Sequence, residues 1–203
     1  MPIKKILVPL SGHEGFEAPH EVALETGLLL GERFAAHVEA FHAAGEAAGG
    51  RAFIPAGMPG SASEELMRAM EGEDRRRGER ARALFAQVTA RHNPPQAVAP
   101  GDPAGFSVDY VELPGPADEL IAARGRLADL TICPSPSLDD HRRPPLGLEA
   151  ALRETGRPLL VVPPEMPETL GKRVAIGWNG SVEASRALAL GWDLVAGAEE
   201  VIV

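Results

Sequence analysis

KRVAIGWNGSVEASRA, residues 172–187, is a basic pair, a short apolar run, a glycine-bearing turn and an amphipathic start. KKILVPLSG, residues 4–12, is built in the same way near the N-terminus. Aligning Gly12 with Gly180 places Lys4 on Lys172, Lys5 on Arg173, Ile6 on Val174, Val8 on Ile176 and Ser11 on Asn179. A strand, a tight turn and a helix therefore open twice in one chain, and self-similarity of this kind marks an internal repeat.

Between the two starts lies a succession of apolar runs and helical patterns. IKKILVPL, from Ile3 to Leu10, lacks polar alternation, as expected of a parallel strand buried on both faces. Phe16 to Leu30 carries Ala18, Val22, Leu24, Leu28 and Leu29 at helical spacing, with Gly31 as the expected stop. Residues 33–41 (RFAAHVEAF) read as a second strand, and residues 45–60, rich in glycine and proline, as a loop insertion. A long polar helix is expected over residues 62–91, opened by a Ser61–Glu64 capping box. Its run EGEDRRRGER alternates acids and bases, which favours a solvated face of ion pairs over a phosphate patch. Strands follow at residues 106–115, 130–135 and 158–164, with helices at 116–129 and 144–156. The alternating order gives an α/β fold, an open five-stranded parallel sheet with helices on both faces.

The composition limits the functions available. The chain has 203 residues, 44% hydrophobic and 24% charged, with a net charge of -9. That balance argues against nucleic acid as a partner, since phosphate neutralisation needs an excess of Lys and Arg. The single cysteine, Cys133, allows no internal disulfide and suits a reducing cytoplasm. The apolar run at the N-terminus is interrupted by Pro9, too short for a signal peptide, and no stretch is long enough for a membrane span.

Chemistry in such a sheet gathers at the C-terminal ends of the strands. The first loop offers Ser11, Gly12, His13 and Glu14, either as a phosphate cradle or, the plainer reading, as a capping turn in which Ser11 or another local polar group satisfies the next helix N-terminus. His13, His37, His42, Cys133 and His141 have no metal-ligand spacing. Cys133 reads as a small core residue. No GxSxG and no P-loop is present. The fourth loop, CPSPSLDDHRRPPLG, is rich in proline, and its Arg142 and Arg143 follow Asp139 and Asp140.

KKILVPLSG, LADLTICPS, GRPLLVVPP and KRVAIGWNGS together resemble the universal stress protein family, and in particular its tandem-domain bacterial members. The resemblance implies an adenine nucleotide alpha hydrolase-like fold over residues 1–164. It implies that residues 170–203 are the first strand and helix of a second domain, cut short in this chain. It implies a role in stress response or regulation without a defined reaction, and pairing of copies or of tandem domains through the fifth strand, Leu159–Val162. Many members bind ATP. Their site places an aspartate after strand one, matched here by Ser11 and, in the second copy, by Asn179. It also uses a Gly-x-x-Gly, nine further residues, then glycine and a hydroxyl residue. Those positions fall on Pro134, Ser137, Gly147 and Leu148, so only Gly147 matches. Proline removes a donor and stiffens the backbone, and Leu148 has no group for a phosphate oxygen. The first-domain pocket, with Pro9, Ser11, Gly12, Pro134, Ser137 and Gly147, is thus degenerate and not expected to bind ATP in the family manner. The alternative places ATP, with weak hydrolysis, in a modified form of that pocket or in the second domain, where Asn179, Gly180 and Ser181 form part of a site. A small α/β enzyme using His13, His42 and an acid is the least supported reading.

Overall fold

A computed structural model describes residues 2–45, 59–96, 105–136 and 147–203. Five parallel strands, β1 (Lys5–Pro9), β2 (His37–Ala44), β3 (Ser107–Pro114), β4 (Leu130–Pro134) and β5 (Leu159–Val162), form one sheet in the order β3-β2-β1-β4-β5. The expected α/β architecture is therefore present. Strand order reverses between β1 and β4, which places a crevice at their C-terminal ends.

Each strand alternates its side chains between two cores. Ile6, Val8, Val38, Ala40, Val108 and Ile132 face α1 (Glu17–Phe34) and α2 (Gly60–His92). Leu7, Phe41 and Cys133 face α3 (Ala117–Gly125) and α4 (Leu148–Glu154). β1 and β4 are buried on both sides because helices cover both faces, which is why they read as unbroken apolar runs. β3 and β5 are the two edge strands, and Val161 of β5 is half-exposed.

Three local expectations are corrected. Gly31 does not end α1, which runs on to Phe34 and closes at Ala35 in the left-handed conformation, φ 49. Gly31 is instead a close-packing residue: a Cβ there would lie 2.5 Å from Val38 Cγ2 and 2.8 Å from the Phe106 ring. β2 accordingly starts at His37, not at residue 33. The Ser61–Glu64 capping box does not form. α2 begins at Gly60 after Pro59 without a side-chain cap, and Glu64 pairs with Arg68 at 3.4 Å. Within the insertion expected at residues 45–60, residues 46–58 lie outside the described residues.

One buried charge sits inside the second core. Glu39 in β2 is 3% exposed, with Lys5 Nζ at 2.8 Å and Arg124 Nε at 2.5 Å. Arg124 also lies over the Phe41 ring, 5.5 Å from its centre. Burial alone would raise the Glu39 pKa, but the hydrogen bonds from Arg124 and Lys5 outweigh it and bring the carboxyl below its ordinary value.

The C-terminal segment forms β6 (Arg173–Ala175), α5 (Val182–Leu190), α6 (Trp192–Val195) and β7 (Glu200–Ile202). β6 and β7 pair in parallel as a separate two-stranded sheet. The linker before it touches the main body, where Met166 and Leu170 pack on the α1 side of the core.

Candidate functional site at the crevice between β1 and β4

β1 delivers Pro9 to the crevice, and Leu10 N–H bonds the Phe41 carbonyl at 2.7 Å as the chain leaves the sheet. Ser11 then turns inward. Its Oγ lies 2.8 Å from His20 Nε2 and accepts the His13 N–H at 3.3 Å. This corrects the expectation that Ser11 caps α1: the residue at the N-cap is Phe16, which makes no side-chain capping bond.

Gly12 has φ +64, and a Cβ there would lie 2.1 Å from the Arg77 carbonyl oxygen. The main chain of α2 therefore rests directly against the loop. Arg80 Nε donates to the Gly12 carbonyl at 2.7 Å, and Arg77 Nε to the Ser11 carbonyl at 3.3 Å. A phosphate cradle turns N–H groups toward its anion. At Ser11 and Gly12, the carbonyls point at arginines instead. Those arginines are compensated in turn, Arg80 by Glu73 at 2.6 Å and Arg77 by Asp74 at 3.8 Å. The other arginines of the run pair on the surface, Arg76 with Glu73 at 2.9 Å and Arg75 with Glu79 at 3.9 Å, as the alternating charges implied.

His20 is the buried member of this site. Burial, foremost, pulls its pKa down to about 4, with the Pro9 carbonyl opposing in part. Its Nδ1 makes no hydrogen bond of good geometry. A serine–histidine pair needs a histidine that is a competent base and a group that orients it. Here the imidazole is a weak base, and among the described residues no carboxylate hydrogen-bonds Nδ1. The pair ties the loop after β1 to α1. His42, 2% exposed, is also a structural partner of the loop, with Nδ1 2.8 Å from the Leu10 carbonyl. His13 lies at the surface, edge-on to Phe16. His37 bonds Ser107 at 2.9 Å across the opposite end of the sheet.

On the β4 side, Pro134 ends the strand and Ser135 N–H continues the ladder to the Val162 carbonyl at 2.8 Å. Cys133 is buried and its thiol is pushed up to about 12 by burial, so it packs as an inert core residue, as expected from sequence. Ser137, with Asp139, Asp140, His141, Arg142 and Arg143, lies outside the described residues. Gly147 precedes α4 at φ 108, where a Cβ would lie 2.4 Å from Ile121 Cδ1. Pro9, Ser11, Gly12 and Pro134 thus stand at the ends of adjacent strands, and Gly147 returns the chain to the sheet.

Asn179, Gly180 and Ser181 belong to the other unit, beyond the end of β6. Asn179 Oδ1 accepts the Ser181 N–H at 3.0 Å, Gly180 has φ +74, and Ser181 Oγ caps α5 through the Ala184 N–H at 3.1 Å. A Cβ at Gly180 would meet nothing within 4 Å. The two turns that align in sequence are therefore packed differently, one closed by α2 and one open.

Sequence reasoning missed His20, Arg77 and Arg80 as parts of this site. His20 is a lone histidine on a helix, and nothing in the charged run marks which arginines reach the loop. Among the described residues no group of three or more His, Cys, Asp or Glu side chains is placed to hold a metal ion, and no helix is long and apolar enough to cross a membrane.

No family model and no curated protein matches the sequence. Solved structures do match in fold. The chain is similar to the universal stress protein UspA from Lactobacillus plantarum, with TM-score 0.52 and 11% identity over 80% of this chain and 99% of that one. It is similar also to the hypothetical protein MJ0577, with TM-score 0.50 and 20% identity over 80% of this chain and 97% of that one. At these identities the likeness is one of fold alone, an open parallel sheet covered by helices on both faces.

Proposed function

We propose that this chain is a regulatory protein of the universal stress type, acting in the cytoplasm by binding rather than by catalysis. The observation that carries the reading is the sheet order β3-β2-β1-β4-β5 with its crevice at β1 and β4, in a fold shared with UspA. The weak base at His20, with no carboxylate bonded to its Nδ1 among the described residues, supports a binding role.

ATP does not fit the first crevice in the manner the resemblance implies. The Gly12 position abuts the Arg77 main chain, the loop carbonyls are taken by Arg77 and Arg80, and Pro134 supplies no N–H. The second reading keeps ATP as ligand with weak hydrolysis, in an altered first pocket or in the unit around Asn179–Ser181. The fold likeness favours it, as does the turn at Gly180, where an added Cβ would meet nothing within 4 Å. We read residues 170–203 as the start of a second copy of the first domain, residues 1–164. In support, the Lys4 carbonyl accepts the His37 N–H at 2.8 Å, and the aligned Lys172 carbonyl accepts the Glu200 N–H at 3.1 Å. The exposed edge at Leu159–Val162 suits pairing of copies or of tandem domains.

Calorimetry with ATP and magnesium separates the readings. Under the first, the 203-residue chain shows no saturable binding. Saturable binding that is lost in Asn179→Ala but not in Ser11→Ala places the ligand in the second unit, and the reverse places it in the first crevice.

A further inference from the structure

Residues 171–203 form strands and helices but bury no core of their own. None of them is buried, α5 included. β6 and β7 have three residues each. The ion pairs across them, Lys172 with Glu199 and Arg173 with Glu200, are exposed and add little. Two strands alone are marginal in water, and a unit below about 40 residues rarely buries enough surface to stay folded. The burial that orders this segment must come from elsewhere in the chain.

It comes from the α1 side of the first domain. Leu170 and Leu194 are partly buried, and both pack on the core cluster that includes Ile6, Val8, Leu28 and Leu30. Upstream, Met166 packs on the same cluster, and its Sδ accepts the hydroxyl of Thr26, 1% exposed, at 3.5 Å. The chain is thus pinned before the segment begins, where it begins, and again within it.

Arg33, in the last turn of α1, supplies a polar contact to the same segment. Its guanidinium lies over the Phe34 ring, 5.2 Å from the centre. A Cβ at Gly197 would stand 2.3 Å from Arg33 Nη2, and one at Gly171 would stand 3.6 Å from Nη1. The missing side chain at Gly197 leaves room for that approach. Arg33 is itself exposed, so its share is small beside that of Leu194. We propose that the C-terminal end of α1 is a docking surface that holds residues 170–203 folded, with Leu170 and Leu194 seated on the core and Arg33 lying against Gly171 and Gly197. This surface lies at the end of α1 and not along β5, and the inference stands whether or not the segment is a second copy of the first domain.

Peptide-resolved hydrogen exchange on the full chain tests it. In the parent chain the amides bonded within the segment, such as Ile176 to Ile202 and Glu200 to Lys172, should be protected. Leu194→Ser removes a half-buried apolar anchor and should speed exchange about tenfold across β6, α5 and β7 alike, while β1 to β4 keep their rates. Arg33→Ala changes no residue of the segment, yet should speed its exchange about threefold. Gly197→Ala pushes the arginine head aside, should act to the same extent, and should add little in the Arg33→Ala background. An unprotected segment in the parent chain, an effect of Leu194→Ser confined to α6, or unchanged exchange in Arg33→Ala would each overturn the proposal.

Discussion

Replacing Gly12 by alanine tests whether α2 truly closes the first loop. The substitution has two separable costs. At φ +64 an L-residue sits in the left-handed region, which costs about 1–2 kcal/mol. The new Cβ would also stand 2.1 Å from the Arg77 carbonyl oxygen and 2.7 Å from its carbon, both main-chain atoms that cannot rotate away. α2 must therefore move by about 1 Å, and the contacts that depend on it, Arg80 to the Gly12 carbonyl and Arg77 to the Ser11 carbonyl, must stretch. Hydrogen bonds from charged donors contribute about 1.5–3 kcal/mol each, and their partial loss brings the expected total to about 3–5 kcal/mol. Gly15 is the control. It has φ +81 but nothing within 4 Å of an added Cβ, so Gly15→Ala should cost only the conformational term, about 1–2 kcal/mol. Urea unfolding followed by circular dichroism gives both numbers, and hydrogen exchange along α2 shows whether the loss is local. Equal destabilisation by the two substitutions, or unchanged exchange in the middle of α2, would refute the closed loop.

Glu39→Gln leaves Lys5 and Arg124 without their buried counter-charge and should cost about 3–5 kcal/mol at neutral pH, measured by urea unfolding. Because the folded Glu39 pKa is depressed, its contribution is present above the unfolded carboxyl value of about 4.3 and is lost as pH falls through the folded one. The variant should therefore show a flatter acid limb than the parent. His20 has the opposite charge logic and the same direction: with a folded value of about 4 against 6.5 unfolded, the unfolded state binds the extra proton between those pH values. Stability should fall by about 3 kcal/mol from pH 7 to pH 4 on this account, and His20→Leu should remove that slope even if it lowers stability at neutral pH. Cys133 should resist thiol reagents in the folded protein at pH 8 and react on unfolding, measured by absorbance of the released thiol product.

The sequence carried the sheet because period and length are local properties. Apolar runs such as ILVPL and LTICP report burial on both faces, and only a parallel sheet covered by helices provides that. Element ends were less legible. Gly31 reads as a stop, yet the protein uses its missing side chain to bring α1 onto Val38 and Phe106, a reason that exists only once the sheet is assembled. The candidate site was legible at the strand ends, Pro9 to Gly12 and Pro134, since the position of a crevice follows from the order of elements.

What closes that crevice was decided by tertiary structure alone. Arg77 and Arg80 lie more than sixty residues from Ser11 and Gly12, within a run whose charges look uniformly solvated. His20 becomes a weak base only because folding strips water from it. The paired starts at Lys4 and Lys172 were fixed by residue order, but residue order does not separate the covered turn at Gly12 from the open one at Gly180. Hydrophobic period is written residue by residue along the chain. Contact, desolvation and the direction of a carbonyl arise when distant segments meet, so the fold could be read from the sequence and the state of its crevice could not.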